Sequence, residues 1–130
     1  MKNLVKQDGR EQEFLIESAA TSPEDVGQPI FPPVCRLLRG HGLPCEGKVA
    51  RLLENHDYEN YDMLIGMDQK NLRDMYLICG GDYANKIHLL LDFTETPGNI
   101  ADPWYTENYV QTWMQVQLGC KGLLESLKKT

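Results

Sequence analysis

Tyr61-Asp-Met-Leu-Ile-Gly-Met67 runs straight into Asp68-Gln-Lys-Asn-Leu-Arg-Asp74, and the change of period between these stretches decides the fold. The first is short and apolar, the pattern of a buried strand. Asp68 then reads as a helix start, because its carboxylate can accept from the backbone N–H groups that a first turn leaves unpaired. Beyond it Leu72, Met75, Tyr76 and Cys79 recur at helical spacing, and Gly80-Gly81 ends the helix. Lys86 to Leu91 supplies another strand. Strand, helix and strand in succession make a βαβ unit, whose parallel strands need cover on both faces.

Working outward, Phe14-Leu15-Ile16 reads as a third buried strand, ended by the small residues Ser18 to Ser22. Pro23 to Pro33 is a loop, rich in Pro and Gly. Val34 to Arg39 reads as a short helix stopped by Gly40 and Gly42, Lys48 to Leu53 fits more than one state, and Asp57 to Asn60 looks like a helical turn. After a long loop, Asp92 to Asn108, the positions Tyr109, Val110, Trp113, Val116, Cys120, Leu123, Leu124 and Leu127 predict a long amphipathic helix. Its last residues, Lys128-Lys129, suit the negative end of a helix dipole. The chain opens inside an apparent helix, Met1 to Gln7, with no strand before it. Three short strands are few for a parallel sheet, which hints at something absent from the N-terminus.

The length of 130 residues fits one domain spanning 1–130. With 42% apolar residues, a disordered or collagen-like chain is excluded. The net charge of −6 argues against nucleic acid and anionic membranes as partners, since no basic stripe faces phosphates. No run reaches the ~20 apolar residues of a membrane helix, and no signal-peptide core opens the chain. A cytoplasmic protein is expected. Cys35, Cys45, Cys79 and Cys120 form no Cys-x-x-Cys pair and are expected as free thiols.

Loops as long as Asp92 to Asn108 are usually functional or disordered. This one holds Ala101-Asp102-Pro103-Trp104-Tyr105. Pro103 stiffens the backbone at Asp102. Two aromatics beside a rigid acid can wall a flat ligand and move a proton. On the residues alone, the plainer reading weighs more: a turn capped by Asp, with its aromatics packed on the core. Cys45-Glu-Gly-Lys-Val-Ala-Arg51 has the Cys-to-Arg spacing of a phosphate cradle, but no strand precedes it and no helix start follows, so chance explains it best. His41, His56 and His88 share no metal-like spacing with other ligands. Phosphate-binding glycine motifs and a Gly-x-Ser-x-Gly elbow are absent.

Taken together, Ile16-Glu-Ser-Ala-Ala-Thr-Ser22, Val26-Gly-Gln-Pro29, Tyr61 to Asp68 with Asn71-Leu-Arg-Asp74, Lys86 to Asp92 and Asp102-Pro-Trp-Tyr105 resemble the low-molecular-weight protein tyrosine phosphatase family of Gram-positive type, in family order and spacing. The resemblance implies a three-layer α/β/α fold around a small parallel sheet. It implies hydrolysis of phosphotyrosine through a phosphocysteine intermediate, with no metal or cofactor. By motif position Asp102 is the general acid/base, Trp104 and Tyr105 line the cleft for the phenyl ring, Ser18 supports the phosphate loop, and Asp68 is the acidic neighbour of Asp102. Substrates would be phosphotyrosine proteins or aryl phosphates.

One departure from the family stands out. The first, internal strand and the nucleophile loop (Cys, five residues, Arg, then Ser or Thr) precede the family's first helix, and Met1 to Lys6 matches the second half of that helix. The nucleophile is thus expected to be absent from these residues, and neither Cys35 nor Cys45 takes its motif position. A chain lacking it should be inactive alone and prone to self-association through open sheet edges. Three alternatives remain beside an incomplete phosphatase: a non-catalytic phosphatase-like binding or regulatory protein, a protein arginine phosphatase, and an unrelated α/β interaction domain.

Overall fold

The computed structural model describes residues 1–22, 32–43, 51–100 and 108–128. In chain order they form α1 (Lys2–Gln7), a 3-10 helix (Glu11–Glu13), α2 (Pro32–Gly40), α3 (Asp57–Asn60), β1 (Leu64–Gly66), α4 (Gln69–Cys79), β2 (Ile87–Leu89), a second 3-10 helix (Leu90–Phe93) and α5 (Tyr109–Lys128). Two compact units result, one of Met1–Ile16 with Glu54–Thr130 and one of Glu17–Leu53.

In the first unit β1 and β2 pair in parallel, Leu64 opposite Ile87 and Gly66 opposite Leu89. Side chains alternate across a strand. Leu64 and Gly66 face α4, where a Cβ on Gly66 would come within 3.0 Å of the Met75 sulfur and 3.2 Å of the Asn71 Cβ. Ile65 faces the other way. With Met63 it packs on a core of Leu90, Leu91, Ile100, Cys120 and Leu123, which Leu4 of α1 and Val116 and Leu127 of α5 also join. The sheet thus lies between α4 on one face and α1 with α5 on the other, the α/β/α layering that the sequence implies. Glycines let α5 approach closely: a Cβ on Gly119 would strike the Leu90 side chain, and one on Gly122 the Phe93 carbonyl oxygen.

Asp82 braces the turn between α4 and β2. Its Oδ1 accepts from the Tyr58 hydroxyl at 2.7 Å and from the Lys86 N–H at 2.7 Å. The buried Tyr58 hydroxyl accepts in turn from the Ala84 N–H, and Lys86 Nζ donates to the Tyr58 carbonyl at 2.6 Å while lying over its ring.

The structure corrects four expectations. Phe14-Leu15-Ile16 is not a strand. The 3-10 helix Glu11–Glu13 ends at Phe14, whose ring stacks under the Arg10 guanidinium, and Leu15 is 74% exposed. Local contacts win there because a three-residue run gains little without a neighbouring strand to pair with. In the second unit a single parallel bridge joins Ala20 to Leu52, with Ala20 N–H on the Arg51 carbonyl and Leu53 N–H on that of Ala20. Two strands and a bridge therefore stand among the described residues where three strands were expected. Tyr76 is exposed, since it follows the buried Met75 by one residue and so points about 100° around α4. Val110 is exposed as well, lying in the first turn of α5 ahead of its core contacts. Finally, Cys35 is disulfide-bonded rather than free, whereas Cys79 and Cys120 are free thiols.

Candidate active site

Parallel sheets bind ligands beyond the carboxyl ends of their strands. In the first unit that end of β1 is Met67-Asp68. Asp68 has extended backbone angles and its Oδ1 accepts from the Asn71 N–H at 2.8 Å, which caps α4 as the sequence expects. Asn71 returns the contact, its Oδ1 accepting from the Met67 N–H at 3.1 Å. This reciprocal pair locks the strand-to-helix junction and fixes the half-buried Asp68 carboxylate at the mouth of the sheet.

A second chain segment is tied to the same junction. The Ile100 N–H donates to the Met67 carbonyl at 2.9 Å, and the Gln69 N–H donates to Asn99 Oδ1 at 2.9 Å. Ile100 is buried in the core, so the segment is anchored by packing as well as by hydrogen bonds. Asp102, Trp104 and Tyr105, like Cys45, lie outside the described residues. Ser18 lies in the second unit, exposed, beside Glu17, which pairs with Arg51 at 3.8 Å. Asn71 stands in a motif quoted from the sequence, but its bond to the Met67 N–H was not read from it, and Asn99 escapes sequence reasoning altogether. Asn71 has a weak signal as a polar residue in the first turn of a capped helix. Asn99 has none, since its partner is thirty residues away.

The free thiols do not look like nucleophiles. Burial pushes the Cys79 thiol above its ordinary value, and Asp57 and Asp82 add to the rise, whereas a reactive cysteine needs the opposite shift. Cys120 is buried in the core. Among the described residues no group of His, Cys, Asp or Glu is placed to hold a metal ion, and no helix is long and apolar enough to cross a membrane.

An α/β/α sandwich with an acid-capped helix and an anchored loop at one strand end belongs to a recognisable class. The whole chain, residues 1–130, matches the family of low molecular weight phosphotyrosine protein phosphatases, and it belongs to that family. It is 28% identical over 130 residues to the low molecular weight protein-tyrosine-phosphatase YfkJ of Bacillus subtilis, covering 98% of this chain and 83% of that one. The crystal structure of YfkJ superposes with a TM-score of 0.92 over 98% of this chain and 82% of that chain. A low molecular weight protein tyrosine phosphatase from Streptococcus pyogenes shares 30% identity with a TM-score of 0.82, covering 97% of this chain and 79% of its own. PtpA of Staphylococcus saprophyticus is 27% identical over 118 residues, covering 90% of this chain and 75% of that one.

Proposed function

We propose that this chain carries the acid half of a phosphotyrosine phosphatase site and that the sulfur nucleophile is not among its residues. Asp102 is the general acid/base, Trp104 and Tyr105 flank the substrate ring, and Ser18 and Asp68 support the site. In the full reaction a cysteine thiolate attacks phosphorus, the P–O bond breaks, and Asp102 gives its proton to the departing phenolate. Asp102 then takes a proton from the water that cleaves the phosphocysteine.

One observation carries this reading: the clamp on Met67 and Gln69. Asp102 follows Ile100 by two positions, with Ala101 alone between them, so the covalent chain limits their Cα span to about 7 Å. The clamp holds Ile100, the last described residue before Asp102, at the strand end where such sheets bind ligands. The cysteines support the rest, since Cys35 is bonded and Cys79 is shifted away from thiolate.

The test is steady-state hydrolysis of 4-nitrophenyl phosphate. The 130-residue chain should show no turnover. A chain extended at its N-terminus by a strand and a Cys-x-x-x-x-x-Arg-Ser loop should be active, and Asp102→Asn should lower its kcat at least about 100-fold. Turnover by the unextended chain that Asp102→Asn abolishes would overturn the proposal. β1 pairs on one edge only among the described residues, so the unextended chain should also sediment as an associating species and the extended one as a monomer. We place the protein in the cytoplasm, as one domain, acting on phosphotyrosine proteins.

A further inference from the structure

We infer that the outward face of α5 is a contact through which two copies of this chain pair. Asn108 to Cys120 is the longest run in the chain without an acidic or basic residue. Within it Val110, Met114 and Leu118 stand at four-residue spacing along one side of the helix, 64%, 64% and 51% exposed. The core is on the other side, where Val116, Cys120, Leu123 and Leu127 pack. Met114 is two residues from Val116, about 200° around the helix. α5 is thus apolar on two faces, and the core covers one of them. A helix apolar on both sides is the pattern of one that is covered on both.

Charge and spacing together name a second copy as the cover. The chain carries a net charge of −6. Two such molecules repel where their charged surfaces meet, so they approach best through a face without charge. A basic partner would be drawn to the acidic surface instead. Spacing supplies the symmetry. Val110, Met114 and Leu118 form one ridge of the i, i+4 kind, and two such ridges interdigitate at about 50°. With a two-fold axis near Met114, Val110 of one copy lies beside Leu118 of the other, and the patch is complementary to itself. The flanks suit a contact of this width. Gln111 is exposed on one side and Gln117 half-buried on the other. A side-chain amide both donates and accepts, so either can pair with its own kind. Beyond Leu118 the same side carries the exposed Lys121 and Glu125, a charged rim to the apolar centre.

A contact one helix wide falls short of the ~1,200 Å² that a standard interface buries. The dimer is therefore weak, with a Kd of about 0.1–1 mM. At micromolar concentration α5 leaves the chain unpaired, and association there reports the open edge of β1.

The test is amide NMR on the 130-residue protein, diluted from about 1 mM to about 0.05 mM to span that Kd. The signals of Val110 to Leu118 should shift with concentration. Met114→Glu sets two carboxylates against each other near the two-fold axis and should raise Kd at least about tenfold, and Met114→Lys should do the same with two ammonium groups. Mixed in equal amounts, the two variants should pair with each other and restore the shifts, which no loss of folding could produce. Leu118→Glu mixed with Leu118→Lys repeats the test at a second exposed position. Three results would overturn the inference: α5 signals that ignore concentration up to about 1 mM, association that Met114→Glu leaves intact, which would belong to the sheet edge, and variants that fail to pair on mixing. Signals that stay fixed on dilution but broaden with phosphatidylcholine vesicles would overturn it too, and would give the stripe to a lipid surface.

Discussion

Asp82 joins three segments through one carboxylate, receiving the Tyr58 hydroxyl and the Lys86 and Ile87 N–H groups. Burial by itself raises this carboxyl, but the hydrogen bonds from Tyr58, Lys86 and Ile87, with His88 nearby, outweigh it and hold the pKa below the ordinary value. A depressed folded pKa stabilises above the unfolded value, near 4, and the gain drains away as pH falls through the folded one. The melting temperature should therefore fall below about pH 4, and Asp82→Asn should flatten that slope in thermal unfolding across pH. Asp82→Ala should cost about 1–3 kcal/mol in urea unfolding, because buried donors lose their acceptor. At this scale the sequence is legible only where partners are close along the chain. Asp68 and its cap could be read because the N–H it receives is three residues on. Asp82 and Asn99 could not, because Tyr58 is twenty-four residues from one and Gln69 thirty from the other.

Elements are set by period and by what they pack against, and α5 shows both. Its apolar spacing marks it as a helix from sequence alone, and Cys120, Leu123 and Leu124 are buried as that spacing predicts. Its two glycines carry information that periodicity does not. Gly to Ala in a helix ordinarily gains about 1 kcal/mol. At Gly122 the added methyl would meet the Phe93 carbonyl, a backbone atom with no rotamer to change. Gly122→Ala should instead destabilise by about 1–3 kcal/mol by denaturant titration, with a smaller loss for Gly119→Ala, where the Leu90 side chain can turn aside. Unchanged or increased stability for Gly122→Ala would show that α5 does not sit this close. Strands are less legible. β1 and β2 were readable because a helix between them closes a βαβ unit, whereas Phe14-Leu15-Ile16 has the composition of a strand with no ladder among the described residues. Whether an apolar run becomes a strand depends on a neighbour that its own residues do not specify.

At the scale of the molecule, the layered fold and the family were both readable, since the motifs from Ile16 to Tyr105 keep a shared order over the whole chain, and the match over residues 1–130 bears the family out. The site was expected as a set of roles; of its residues the structure describes Asp68, at the end of β1, and Ser18, in the second unit. What the sequence could not give was the clamp of Asn99 and Ile100, a product of the folded sheet rather than of any motif. The proposal that the sulfur nucleophile is missing concerns every cysteine in the chain at once. It is tested most directly by mixing the 130-residue protein with an aryl phosphate, quenching in acid, and mapping peptides by mass spectrometry. Cys35, Cys45, Cys79 and Cys120 should all be free of a phosphoryl group. A phosphorylated cysteine at any of the four, formed at the rate of substrate turnover, would contradict it.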